Sequence, residues 1–385
     1  MPQLKYDCRL FNGYKPCPYD SECDGCEHYR PMGDRILILR VTQLGNIVKS
    51  TPVLRALHQR FDDPWITWVC SPAATPLLRS NPLVNEVIEW SWENALTLQT
   101  RTFDLVLTLE ANHAEAALAG LIPADERLGF GLHESGSLIP INDQSVPYVS
   151  LSLSDRLRFE ENQKTLAELC FDLVGVPYEG EEYILRPSED DRSYARSLLA
   201  DLGVDPERDA IIALATGGDT RRFPNKDWPV AHFAELARIL SHRTDAKILL
   251  VGGPMEREVN AHLAATLGDA VIDTGCDHEM MQFAALLSLC DVSVSADSFV
   301  LHVAVAVNTH VVGLFGPTPP QEVAIFGRGR KLVTEMRCAP CYIRHPADCP
   351  HGVGCMRGLT PDLVADATLE VLSEAREAPA SESRS

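Results

Sequence analysis

The sequence predicts an α/β protein of two doubly wound domains, each on a mostly parallel sheet. Three observations predict it. From Arg35 onward apolar strands alternate with helical stretches, the alternation restarts after residue 187, and several strands end in glycines or small polar residues. A chain of 385 residues also exceeds one ordinary core and suits two domains of about 150 residues each.

The elements follow in order. Residues 1–33 are rich in Cys, Tyr, Pro and Gly without any period, so they read as a loop-built module that needs a staple. "RILILRV" is a continuous apolar run, as expected of a strand buried on both faces. Ile47, Leu54 and Leu57 share one face of the helix expected after it. "WITWVC", "VNEVIEW" and "FDLVLTLE" give three further strands, and residues 151–187 read as largely helical, with "EGEEYILRP" as the crossing. The second half repeats the scheme with "DAIIALATGGD", "AKILLVGGP", "AVIDTG", "DVSVSADS" and "THVVGLFGPT" as strands. "VAHFAELARILSHR" and "EMMQFAALLSLC" are helices between them, and "EAREAPASESRS" has the composition of a disordered tail. The expected boundaries are 1–33, 34–185, 186–372 and 373–385.

A net charge of −20 and a pI near 5.0 exclude a general nucleic-acid or anionic-membrane binder, because phosphate contacts need clustered Lys and Arg. A local basic pocket for one phosphorylated ligand stays open. No apolar run is long enough to span a membrane, and "MPQLKYDCRL" has no apolar signal region. The expectation is a cytoplasmic protein with at most peripheral membrane association.

In open α/β sheets ligands bind beyond the carboxyl ends of the strands, so the residues directly after each strand matter most. "TGGDTRRFPNKDWP" follows the first strand of the second half. Thr216 and Gly217 open it, its glycines admit backbone N–H groups to a phosphate, and Arg221, Arg222 and Lys226 add positive charge. In "VSADSFVLHVAVAV", Asp297 and Ser298 end a strand and His302 follows one helical turn later; the pair either caps the helix or directs its amides at a pyrophosphate. Gly316 in "LFGPT" permits close backbone approach.

"GNIVKSTPVLRAL", "NKDWP", "VGGPMERE", "SADSFVLHVAVAV" and "LFGPTPP", in this order, resemble glycosyltransferase family 9, the ADP-heptose:lipopolysaccharide heptosyltransferases. "RCAPCYIRHPADCPHGVGCMRGLTPDLV" is similar to that family's C-terminal segment, and the likeness covers roughly residues 35–370. The resemblance implies a GT-B fold, two Rossmann-like domains facing a cleft, and inverting transfer from a nucleotide-diphosphate sugar without a catalytic metal. It puts the acceptor in the first domain and the donor in the second. Lys226 would pair with the diphosphate, Asp297, Ser298 and His302 would line the donor pocket, and Glu256 would lie near the nucleoside.

Two positions depart from the family pattern. Asn46 stands where the family has an aspartate, the expected base for the acceptor hydroxyl, and Phe299 stands where it has a glycine beside the donor phosphates. Glu110 and His113, at the end of "FDLVLTLE", are the substitute bases, with Asn46 orienting the hydroxyl by hydrogen bonds. The acceptor would be a lipopolysaccharide core, another glycan or a protein side chain. Competing readings are a silent GT-B binding or scaffold protein and a nucleotide-sugar epimerase or hydrolase.

Eight of the twelve cysteines fall into two sets, Cys8, Cys17, Cys23, Cys26 and Cys338, Cys341, Cys349, Cys355. In a reducing compartment such clusters point to structural Zn or Fe before disulfides.

Overall fold

The computed structural model describes residues 4–11, 17–217 and 223–377. The first sheet contains β1 (Arg35–Leu39), β2 (Trp65–Cys70), β3 (Glu86–Glu89), β4 (Phe103–Thr108), β5 (Ala124–Leu132) and β6 (Leu138–Pro140). Their order is β3-β2-β1-β4-β5-β6, parallel except for β6 against β5. The second sheet contains β7 (Ile211–Ala215), β8 (Lys247–Val251), β9 (Ile272–Asp273), β10 (Val292–Ala296), β11 (His310–Phe315) and β12 (Gly329–Val333). It is parallel throughout, in the order β12-β11-β10-β7-β8-β9. Strand order reverses between β1 and β4 and again between β7 and β10. Each reversal opens a crevice beyond the carboxyl ends of those strands.

Residues 36–39 of β1 are wholly buried because helices cover both faces of the sheet. Alternate residues serve different cores. Ile36 and Ile38 of β1 and Leu105 and Leu107 of β4 join Ile211 and Ala213 of β7 and Leu249 and Val251 of β8 in one continuous core. Ile47, the helix Leu166–Val174, the helix Met280–Ser288 and the helix Phe299–Ala306 contribute side chains to it. The outer faces have their own cores, Leu37, Leu39 and Val106 on one side and Ile212, Leu214 and Val292 on the other. The two sheets are therefore joined by shared apolar packing.

Several expectations change. The single helix after β1 is two, Leu44–Ser50 and Val53–Arg60, broken at Pro52, which has no N–H to give to the Val48 carbonyl. The Thr51 hydroxyl bonds that carbonyl instead (2.7 Å) and accepts the Ile184 N–H (2.8 Å). In 151–187 only Leu166–Val174 is α-helical, preceded by a wide π-turn at Arg156–Glu161, and Tyr183–Leu185 run extended. β5, β6 and β12 escape the sequence pattern: β5 mixes charges and glycines, and β12 is an edge strand with Arg330 and Lys331 at its centre. The last helix, Pro361–Glu377, carries five residues of the expected tail, while 378–385 lie outside the described residues.

The cysteine-rich start is closed on itself by a bridge between Cys8 and Pro31 and docks by Arg9, which pairs with Asp63 (2.6 Å) and lies over the Trp65 ring. Trp65 begins β2, so this segment sits at the amino edge of the first sheet, away from the crevice. Among the described residues no helix is long and apolar enough to cross a membrane.

Gly129 in β5 has φ +100°, and a Cβ there would lie 1.9 Å from the Thr108 carbonyl oxygen of the neighbouring strand. Gly129→Ala is expected to lower stability by more than about 1 kcal/mol, read as a fall in the urea midpoint.

Candidate functional site

The loops after β1, β4 and β10 converge on the crevice, together with the turn Pro224–Lys226. β10 delivers Asp297 and Ser298, and His302 follows inside the helix Phe299–Ala306. β1 delivers the Leu44-Gly45-Asn46 turn from the other domain. The two meet closely: a Cβ on Gly45 would lie 2.5 Å from His302 Cδ2. Only a residue without a side chain fits there.

Lys226, on the short 3-10 turn Pro224–Lys226, donates to the Asp297 carbonyl (3.0 Å) and lies 3.4 Å from its carboxylate. His302 Nε2 lies 3.4 Å from the other carboxylate oxygen. Burial would raise the Asp297 pKa, but Lys226, His302 and Lys49 hold it well below the usual carboxylate range. Burial, aided by Lys49, pushes His302 down to about 4 despite Asp297, so its imidazole is neutral at pH 7. Ser298 precedes its helix without capping it. Its hydroxyl, His302 Nδ1 and the Thr318 hydroxyl are buried without hydrogen-bond partners among the described residues. Unsatisfied buried polar atoms of this kind call for an explanation, and a polar ligand supplies one.

Other expected residues have different surroundings. Glu110 accepts the N–H groups of Val41 (3.1 Å) and Thr42 (2.9 Å) and the Thr42 hydroxyl. These bonds engage both carboxyl oxygens and staple the loop after β1. His113 is exposed as the first residue of the helix His113–Leu121. The Asn46 side-chain amide donates to the Gln43 side chain within its own turn. Glu256 accepts the Gly253 N–H (2.9 Å), and a Cβ on Gly217 would lie 2.1 Å from its Oε1, so this glycine makes room for a carboxylate. Thr216 donates to Asn260 (2.6 Å). Gly316 is approached by Met356 Sδ and Cys355 Sγ, at 2.6 and 3.0 Å from a Cβ built on it, so protein side chains explain that glycine. Phe299 packs on the shared core. Arg222 lies outside the described residues.

Sequence reasoning missed three features. Lys49 is buried in the helix Leu44–Ser50, and its only sequence signal is a cation on an otherwise apolar helix face. Arg158 pairs bidentately with Glu322 across the two domains (2.6 and 2.8 Å) and lies over the Tyr342 ring. Glu115 is 1% exposed, and neither carboxyl oxygen has a hydrogen bond of normal geometry, since the nearby Val41 N–H is held by Glu110. Burial, with Glu110 second, pushes Glu115 up to about 9, so it is a neutral acid at pH 7 and cannot take a further proton.

The two cysteine sets lack the convergence that Zn or Fe needs. Among the described residues no three His, Cys, Asp or Glu side chains converge closely enough to hold a metal ion. Cys338 is exposed while Cys355 is buried, although Cys341, Cys349 and Cys338 lie near enough to help burial raise the Cys355 pKa. As placed, neither set is a ligand cage.

The sequence model of glycosyltransferase family 9 (heptosyltransferase) matches residues 92–347. The lipopolysaccharide heptosyltransferase 1 of Pseudomonas aeruginosa is 32% identical over 325 residues, 80% of this chain and 86% of that protein. The lipopolysaccharide core heptosyltransferase OpsX of Haemophilus influenzae is 23% identical over 314 residues, 78% and 84% of the two chains. The solved structure of the ADP-heptose lps heptosyltransferase II of E. coli superposes with a TM-score of 0.67 at 20% identity, covering 89% of this chain and 100% of that one.

Because the folded pKa of Glu115 is raised, its stabilising contribution is complete below the unfolded value of 4.5 and is lost as pH rises toward about 9. Glu115→Gln keeps the neutral shape without that loss. Its melting temperature relative to the parent is therefore expected to climb between pH 5 and pH 9, measured by thermal denaturation across that range.

Proposed function

Since the chain belongs to glycosyltransferase family 9, we propose that it transfers a heptose-type sugar from a nucleoside-diphosphate donor to a hydroxyl of a lipopolysaccharide-like glycan. The family's relatives bear those substrates in their names. The observation that carries the reading is the buried group of Lys226, Asp297, His302 and the uncapped Ser298 helix start, facing the Gly45 turn of the other domain.

In this mechanism the donor diphosphate lies along Lys226 and the first amides of the helix Phe299–Ala306. The acceptor hydroxyl oxygen attacks the anomeric carbon from the opposite side, the carbon–oxygen bond to the diphosphate breaks, and the configuration inverts. The electron pair goes to the leaving diphosphate, whose added charge the lysine and the helix amides stabilise, and the acceptor hydroxyl gives its proton to solvent water as its oxygen bonds the anomeric carbon. Neutral His302 adds no competing charge. Asn46 hydrogen-bonds the acceptor hydroxyl, and Glu110 holds the loop that carries Asn46 in place.

A second reading is favoured by the first domain. Asn46 is neutral and tied to Gln43, and Glu110 is held by Val41 and Thr42. That arrangement suits a protein that keeps donor binding and has lost transfer.

Turnover and binding separate the two. With ADP-heptose and a truncated core glycan, the transferase reading expects product, and Lys226→Ala is expected to lower kcat/KM on the order of 100-fold. Donor binding by calorimetry without product, and with product appearing only in Asn46→Asp, supports the second reading. Absence of both binding and product from every nucleotide sugar tried overturns the donor site itself.

A structural metal on the cysteine sets is a separate proposal. The Cys26 and Cys349 sulfurs each accept a backbone N–H (3.3 Å), the kind of outer hydrogen bond that orients a metal ligand. Elemental analysis of purified protein is expected to find one or two Zn or Fe per chain, and a fully folded metal-free sample overturns it.

A further inference from the structure

Lys49 has a feature that the proposed reaction has not used. It is 6% exposed, and among the described residues it makes no hydrogen bond and no ion pair within 4 Å. Burial lowers the Lys49 pKa while Asp297 and Glu322 oppose it, so an ammonium held there without a protein acceptor is costly unless another anion offsets it. Gly45 and Lys49 are four residues apart in the helix Leu44–Ser50 and so share one face, and that face meets His302 at Gly45. Lys49 therefore lies along the seam between the domains, within electrostatic reach of Asp297, Glu322, Lys226 and Arg40.

The charges around it do not cancel. Glu322 is taken by Arg158, and Asp297 is in contact with Lys226 and His302. Neutral His302 contributes nothing, so two lysines share one carboxylate in the middle of a chain with net charge −20. Among the described residues this is a surplus of positive charge, near buried Ser298, Thr318 and His302 atoms that have no hydrogen-bond partner there. The fitting ligand is an anion with several acceptor oxygens.

We propose that Lys49 is a second diphosphate ligand, supplied to the donor site by the opposite domain and directed at the phosphate joined to the sugar. That phosphate is the one nearest the Gly45 turn when the anomeric carbon faces the first domain. The proposal rests on the donor site described above. In it Lys226 binds the diphosphate from the domain that carries it, and Lys49 engages only when the domains are together, which ties leaving-group stabilisation to closure of the cleft.

The test is calorimetric titration of the full chain with ADP and AMP, and with UDP and UMP in parallel. The parent protein is expected to bind a diphosphate more tightly than its monophosphate. Lys49→Met should lose that preference on the order of 10-fold to 100-fold while keeping its monophosphate affinity, and Lys49→Arg should retain it. Without nucleotide, Lys49→Met is expected to melt no lower than the parent, since it removes an unpaired buried charge; a structural cation would give the reverse. An unchanged diphosphate preference in Lys49→Met, or equal loss for both nucleotides, overturns the proposal while the donor site stands. Failure of every nucleotide to bind the parent, with Lys49→Met melting lower, overturns both.

Discussion

The approach of Gly45 to His302 is the constraint on which the site depends. It brings the turn after β1 against the helix after β10, and no side chain larger than hydrogen fits between them. The shared apolar core makes that approach stable, because alternate residues of β1, β4, β7 and β8 all point into it. The Arg158–Glu322 pair, partly shielded and stacked on Tyr342, adds a polar tie at the same seam. Two sheets with switch points at β1/β4 and β7/β10 are thus held with their crevices face to face, which is the GT-B arrangement.

Electrostatics then divides the crevice into two unlike halves. The second domain offers Lys226, a strongly acidic Asp297 and a neutral His302, and the first contributes Lys49. Positive charge concentrated in an acidic protein focuses anions on one place while the remaining surface repels them. The other half, behind the loop after β1, holds Glu110 in three hydrogen bonds and keeps Glu115 protonated. That half orders a loop and contains little free basicity. A glycosyltransferase scaffold with a cationic half and a restrained, hydrogen-bonded half follows from those two environments.

Much of the fold could be read from the sequence because its signals are local. Continuous apolar runs such as 35–41 specify buried strands, and glycine or Asp-Ser at strand ends marks the loops that reach the crevice. Strands lacking that signal were missed: β5 mixes charge with glycine, and β12 places cations on an edge. Lys226, Asp297, Ser298 and His302 lie together as the strand-end logic expects. The hydrogen bonds of Glu110 could not be read from the sequence, because its partners Val41 and Thr42 are about seventy residues away in the chain and become neighbours only when β1 and β4 pair.

The sequence by itself determined the two α/β halves, the family and the loops that border the crevice, since these rest on periodicity and short motifs within one element. Tertiary structure alone decided which side chains are free. Gly45 opposes His302, Gly217 shelters Glu256 and Gly316 receives Met356 only through packing of segments distant in the chain. Lys49 and Glu115 look like ordinary surface charges in the sequence. Burial between sheets and helices lowers the pKa of one, which has no partner among the described residues, and keeps the other a neutral acid, because the cost of desolvating a charge depends on everything packed around it.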